Sequence, residues 1–217
     1  MKPLSACRLY TFIDTAYLGG RSVPEVARKL CAGGADLIQL RAKQSSEKEI
    51  LAMAHAILPI TRETGVRLVI NDYPEVANKV GAELCHLGQE DFFGAGHTQV
   101  GEVPGIGSGV QIGLSTHAPD QAQRAVAAGA AYVAVGPVFA TATKPQAAPV
   151  TLEYVRWAAK HLTVPWFAIG GINLSNVDQV RAAGAERICV VSAILQSADV
   201  TEACRQFRDR FPCAPVF

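Results

Sequence analysis

Charge of one sign is missing from this sequence in any useful excess. Lys and Arg number 20 against 19 Asp and Glu, and no basic run interrupts the 217 residues. Nucleic acids and anionic membrane surfaces select for clustered cations, so neither is expected as a partner. Long apolar runs are also missing, and nothing approaches the ~20 residues that a membrane-crossing helix needs. The six cysteines (Cys7, Cys31, Cys85, Cys189, Cys204 and Cys213) contain no C-x-x-C pair and no zinc-like spacing with histidine. Most have apolar neighbours, as in Arg187-Ile188-Cys189-Val190-Val191, and read as small buried thiols of a reducing, cytoplasmic setting. Leu4-Ser5-Ala6-Cys7 has the form of a lipoprotein cleavage box. It lacks the charged segment and apolar run that must precede one, so no lipid anchor is expected.

What is present is apolar surface, at 49% of residues, with only 18% charged. That composition and length suit one α/β barrel domain over 1–217. A weak internal repeat sharpens this. Gly34-Ala35-Asp36-Leu37-Ile38-Gln39-Leu40 recurs at Gly81-Ala82, at Gly129-Ala130 and at Gly184-Ala185, each followed by a short apolar strand. The glycines lie 47, 48 and 55 residues apart, about two helix–strand steps. Four more strand candidates fall between the copies, at Arg8 to Ile13, Arg67 to Ile70, Gln111 to Leu114 and Pro165 to Ile169. Helical patterns separate them, including Val23 to Leu30, Glu47 to Thr61, Ala118 to Ala128 and Leu152 to His161, with Asn173 and Ser175 as caps for a helix running to Ala183. Strict alternation implies a parallel sheet, and a fourfold echo favours closure into a (β/α)8 TIM barrel over an open doubly wound sheet.

In such a barrel, side chains just past the carboxyl ends of the strands form the active site. Strand 2 ends in Gln39-Leu40-Arg41-Ala42-Lys43, where alternation puts Gln39, Arg41 and Lys43 on one face. An amide with two cations suits a heterocycle that carries phosphates. Strand 3 ends in Asn71-Asp72 and strand 4 in His86-Leu87-Gly88-Gln89-Glu90-Asp91. Asp72 and Asp91 read either as helix caps or as two oxygen ligands of one Mg²⁺ that would bridge a pyrophosphate. His86 reads as a structural residue of the interior. Strand 5 ends at Ser115-Thr116-His117, a hydrogen-bonding and an acid–base candidate. Gly105 to Gly109 precedes a strand and lacks a Gly-Lys-Ser/Thr ending, so it reads as a connection rather than a phosphate loop. After strand 6, Thr141, Thr143 and Lys144 offer two hydroxyls and an ammonium on one long loop, a clamp for phosphoryl groups. Gly170-Gly171 and Val191-Ser192 close strands 7 and 8, where barrels commonly bind phosphate through backbone N–H groups.

Taken in order, Tyr10, Gln39 to Lys43, Asn71-Asp72, His86 to Asp91, Gly113 to His117, Gly136 to Lys144, Ile169 to Ile172 and Val191-Ser192 resemble the thiamine-phosphate synthase family over essentially the whole chain. The resemblance implies a transferase of phosphorylated small molecules. It would join hydroxymethylpyrimidine diphosphate to a thiazole phosphate and release pyrophosphate by a dissociative, Mg²⁺-assisted route. By position it implies that Gln39, Arg41, Lys43, Asn71 and Lys144 hold the pyrimidine diphosphate, with Tyr10 among the substrate-binding residues. Ser115 would lie near the reacting pyrimidine, and Arg41, Ser115 and Lys144 would be the catalytic groups. Asp72 and Asp91 would hold the metal, and Thr141, Thr143, Gly171, Val191 and Ser192 the thiazole phosphate.

Two positions depart from the family pattern. Ala140 stands where proline is usual, and Thr151 where glycine is frequent. The rival readings are a thiazole tautomerase using His117 as acid and base, and a non-catalytic thiazole-phosphate sensor. The first has no use for a metal–diphosphate side, and the second would favour a broken one. Self-association into a homo-oligomer is compatible with the sequence, which does not fix it.

Overall fold

Eight parallel strands pair in sequence order, and the eighth returns to the first. They are β1 (Leu9–Asp14), β2 (Leu37–Arg41), β3 (Arg67–Asn71), β4 (Leu84–Leu87), β5 (Gln111–Thr116), β6 (Tyr132–Val135), β7 (Trp166–Ile169) and β8 (Ile188–Val190). The computed structural model describes residues 1–141 and 148–212. Closure leaves no sheet edge, and the strands are apolar and buried on both faces because helices cover the outside. The expected barrel is therefore observed.

The outer helices are α1 (Val23–Ala32), α2 (Glu47–Thr64), α3 (Pro74–Val80), α4 (Gln89–Phe93), α5 (Pro119–Ala127), α6 (Thr151–His161), α7 (Val177–Ala182), α8 (Ser192–Leu195) and α9 (Val200–Arg210). Their ends follow local chemistry. Ser46 and Glu49 form a reciprocal capping box at the start of α2, and Gly65 ends that helix in a left-handed conformation. One cap differs from expectation. Helix α7 starts at Val177 with Asn176 at the cap position, while Asn173 Oδ1 accepts from the Ser175 backbone N–H at 2.9 Å. Asn173 and Ser175 therefore build the turn before the helix, because an Asx turn competes with capping.

Inside the barrel, three rings from three strands make a floor. Tyr10, Tyr132 and Phe167 lie edge to face, with centroids 5.3–5.8 Å apart. Their partner on β5 is Gly113, where any Cβ would stand 2.1 Å from the Tyr132 ring. Glycine there lets the tyrosine cross the interior. The floor lifts the accessible part of the barrel towards the carboxyl ends of the strands.

Thr151, expected from the resemblance to stand where glycine is frequent, takes a backbone conformation that favours glycine. It has φ +65°, a conformation that strains a β-branched residue. Its hydroxyl compensates in part by accepting from the Glu153 N–H at 3.3 Å. Thr151→Asn would keep that acceptor and tolerate the backbone. It is expected to stabilise the fold by about 1 kcal/mol, a rise in Tm of roughly 2–4 °C for a chain of this size. An unchanged or lower melting temperature would count against strain at this residue.

Candidate active site

The strand ends open onto one cavity, about 900 Å³ with its open mouth included, lined from all eight strands and from the segments that follow several of them. Its residues fall into two charged or polar ends with a central strip between them.

At one end, β2 carries Arg41, and its neighbour in register on β1 is Asp14. Arg41 Nη1 donates to Asp14 Oδ2 at 2.6 Å, while Asp14 Oδ1 accepts from the Ala16 N–H at 3.0 Å. Asp14 is only 1% exposed, so the pair fixes the guanidinium at the cavity wall. Lys43 Nζ pairs with Asp72 Oδ2, and Asn71 Nδ2 donates to the same oxygen at 2.6 Å. Asp72 has φ +65° and its backbone N–H donates to His86 O at 2.9 Å. That turn brings the carboxylate to the cavity instead of placing it at a helix cap; the cap position of α3 is Tyr73. Asp91, in the first turn of α4, faces the same cavity. Among the described residues its carboxylate has no hydrogen bond or ion pair, which leaves both oxygens available to a ligand.

At the other end lie Thr141, Gly170, Gly171, Ile172, Val191 and Ser192. The β6 and β7 loops are sewn together here, with Val138 N–H donating to Ile169 O at 2.8 Å and Phe139 N–H to Gly170 O at 3.0 Å. Asn176 Nδ2 donates to Gly171 O at 2.9 Å and holds the glycine turn from below. Thr143 and Lys144 lie outside the described residues.

The central strip is Gln39, His86, Ser115 and His117. His86 faces the interior as expected but has more to do than pack. Its Nε2 meets Ser115 Oγ at 2.9 Å and its Nδ1 meets the Tyr132 hydroxyl at 3.0 Å. His117 Nδ1 is bonded to Gly136 O, which ties that ring to the start of the β6 loop. Tyr10 does not line the cavity. It is 1% exposed in the floor, and Gln39 Nε2 donates to its hydroxyl. Any influence of Tyr10 on a ligand passes through the side chains it bonds, Gln39 and Tyr132.

Burial pushes the Tyr10 and Tyr132 hydroxyls well above the usual phenol range, so both stay neutral. Burial does the same to the Cys189 thiol at the cavity wall, which keeps it from acting as a thiolate nucleophile. Sequence reasoning missed Asp14, Tyr132 and Asn176. For Asp14 a signal existed: extending the first strand one residue past Ile13 puts a carboxylate at a strand end, beside Arg41.

The sequence profile described as thiamine monophosphate synthase matches residues 9–194. A thiamine-phosphate synthase of Thermus thermophilus is 46% identical over 180 residues, covering 82% of this chain and 84% of that protein. One of Chloroflexus aurantiacus is 41% identical over 202 residues, covering 93% and 91%. Among solved structures, the thiamine phosphate pyrophosphorylase of Pyrococcus furiosus superposes with a TM-score of 0.83 at 28% identity, covering 96% of each chain. With its profile matched across nearly the whole barrel, the chain belongs to the thiamine-phosphate synthase family.

Proposed function

We propose that this barrel, acting as one domain, joins hydroxymethylpyrimidine diphosphate to a thiazole phosphate and releases pyrophosphate. The observation that carries the reading is that one cavity is lined by Arg41, Lys43 and Asn71 on the β2–β3 side and by the Gly170-Gly171 and Val191-Ser192 turns on the β7–β8 side. Two phosphorylated substrates would thus meet head to head. The C–O bond between the pyrimidine methylene and the diphosphate breaks, and its electron pair leaves with pyrophosphate. The thiazole nitrogen then donates its lone pair to the methylene carbon. No protein nucleophile is required, and burial holds Cys189 at the cavity wall as a thiol.

Arg41, braced by Asp14, and Lys43 would bind the leaving diphosphate and stabilise the charge that grows on it. Lys144 would join them from the β6 loop. Asn71 would add an amide donor, and Ser115 would orient the pyrimidine ring. Thr141, Thr143, Gly171, Val191 and Ser192 would hold the thiazole phosphate, much of it through backbone groups.

Asp72 and Asp91 fit a magnesium ion. They supply hard oxygen donors at one rim, and no third His, Cys, Asp or Glu joins them among the described residues. That is the donor set of an ion that keeps waters and takes its other ligands from substrate phosphate. When bound, Mg²⁺ would supply charge neutralisation of the leaving pyrophosphate.

The described cysteines are all free thiols, which supports a reducing, cytoplasmic setting. No helix among the described residues is long and apolar enough to cross a membrane.

The test mixes purified protein with both substrates, with and without Mg²⁺, and follows thiamine phosphate and pyrophosphate. Both products are expected only when both substrates and the metal are present. No product, or product independent of the metal, would reject the reading.

A further inference from the structure

The central strip and the aromatic floor are one hydrogen-bonded chain, and its proton order has a consequence for substrate choice. Gln39 Nε2 donates to the Tyr10 hydroxyl. The Tyr10 and Tyr132 hydroxyls are 3.0 Å apart. Tyr132 meets His86 Nδ1 at 3.0 Å, and His86 Nε2 meets Ser115 Oγ at 2.9 Å. The two ends and His86 line the cavity, while both tyrosines lie beneath it, at most 1% exposed.

Counting protons gives the chain a direction. A phenol carries one hydrogen, and Tyr10 already accepts from Gln39, so it donates to Tyr132. Tyr132 must then donate to His86 Nδ1. With Nδ1 accepting, a neutral His86 carries its hydrogen on Nε2 and donates to Ser115 Oγ. Ser115 accepts from below, so its own hydrogen is left for the cavity. At the far end, one hydrogen of Nε2 is engaged by Tyr10, which fixes the amide and leaves its oxygen and second N–H to the cavity. Reversing any one link would leave a buried donor facing a donor, which costs far more than the bond itself contributes.

We infer that Tyr10 and Tyr132 are positioning residues that hold the Gln39 amide and, through His86, lock Ser115 as a hydrogen-bond donor, so that the cavity selects a ring presenting an acceptor to Ser115. This rests on the proposed pyrimidine site and deepens it. An aminopyrimidine has that acceptor in the ring nitrogen beside its exocyclic amine. The 4-oxo analogue carries a hydrogen on that ring nitrogen and would set donor against donor at Ser115. The selection would therefore act at the ring, away from both phosphate ends.

Two measurements decide it. Long-range ¹H–¹⁵N spectra of the substrate-free protein, with His86 assigned by the signals lost in His86→Gln, are expected to show Nε2 protonated and Nδ1 bare. The opposite tautomer overturns the inference, and this readout holds whether or not the protein makes thiamine phosphate. In the coupled reaction, Tyr132→Phe removes the central link. It is expected to lower kcat/KM for the pyrimidine diphosphate by roughly tenfold or more, with KM for the thiazole phosphate unchanged. The preference for the amino over the 4-oxo diphosphate should fall by about the same factor. Equal losses on both substrates, or an unchanged preference, would reduce Tyr132 to packing and overturn the idea. Should Tyr132→Phe fail to fold, Tyr10→Phe breaks the adjacent link and is read by the same ratio. A wild-type protein with no synthase activity would instead reject the proposed function, with the tautomer still deciding the chain's direction.

Discussion

Asp91→Asn is expected to lower turnover by about 10²-fold or more while leaving thiazole-phosphate affinity within twofold. The asymmetry follows from where the side chain stands. Asp91 lies at the rim shared with Asp72 and Lys43 and has no protein partner among the described residues, so no internal ion pair is broken by the change. Its loss removes negative charge and one hard ligand without leaving a buried cation unmatched. Asp72→Asn would be less clean, because Asp72 Oδ2 also anchors Lys43 and Asn71. Turnover measured across a Mg²⁺ titration, together with calorimetric binding of the thiazole phosphate alone, separates the roles. For Asp91→Asn, added Mg²⁺ should recover part of the rate. Equal losses in turnover and in thiazole-phosphate binding would sink the metal assignment.

The barrel is legible in the sequence because its repeat is a physical one. Each copy of the glycine–alanine–strand unit ends a helix at a residue free to take positive φ, and Gly34, Gly81, Gly129 and Gly184 all do so. The two ends of the cavity are legible for a related reason. Polar residues at strand termini are costly to bury unless they serve a ligand, and Gln39, Arg41, Lys43, Asn71, Asp72, Asp91 and Ser115 all line the one cavity.

Depth along the barrel axis is what the sequence does not give. Tyr10 and Phe12 both alternate inward from β1, but Tyr10 lies one inward step lower, about 7 Å along the strand. That step separates a floor residue from a lining one, and it depends on stagger between strands. His86 was legible as an interior residue, but its two partners come from β5 and β6, more than twenty-five residues away in sequence. Asp14 is hidden by a different ambiguity. A carboxylate before Thr15-Ala16 reads as a turn cap, and one of its oxygens does cap Ala16 while the other holds Arg41.

The far end of the cavity makes the second strong prediction, and it turns on backbone. Gly171 has φ +65°, and a Cβ placed on it would stand 2.4 Å from Ala140 O and 2.7 Å from Phe139 Cβ. The first of these is main chain and cannot rotate away. Gly171→Ala therefore meets two costs at once, about 1–2 kcal/mol for the left-handed conformation and a collision with the β6 loop. The loop must yield, because the β7 side of the turn is held by Asn176 on Gly171 O. Displacing Phe139 and Ala140 carries Thr141 out of the cavity end assigned to the thiazole phosphate. Affinity for that substrate is expected to fall at least tenfold, with a loss of stability of about 2–3 kcal/mol. Affinity for pyrophosphate, assigned to the opposite end, should change by less than twofold. Calorimetry with each ligand on the folded variant tests this. A variant that lost both affinities together would show that the cavity does not work as two separable ends.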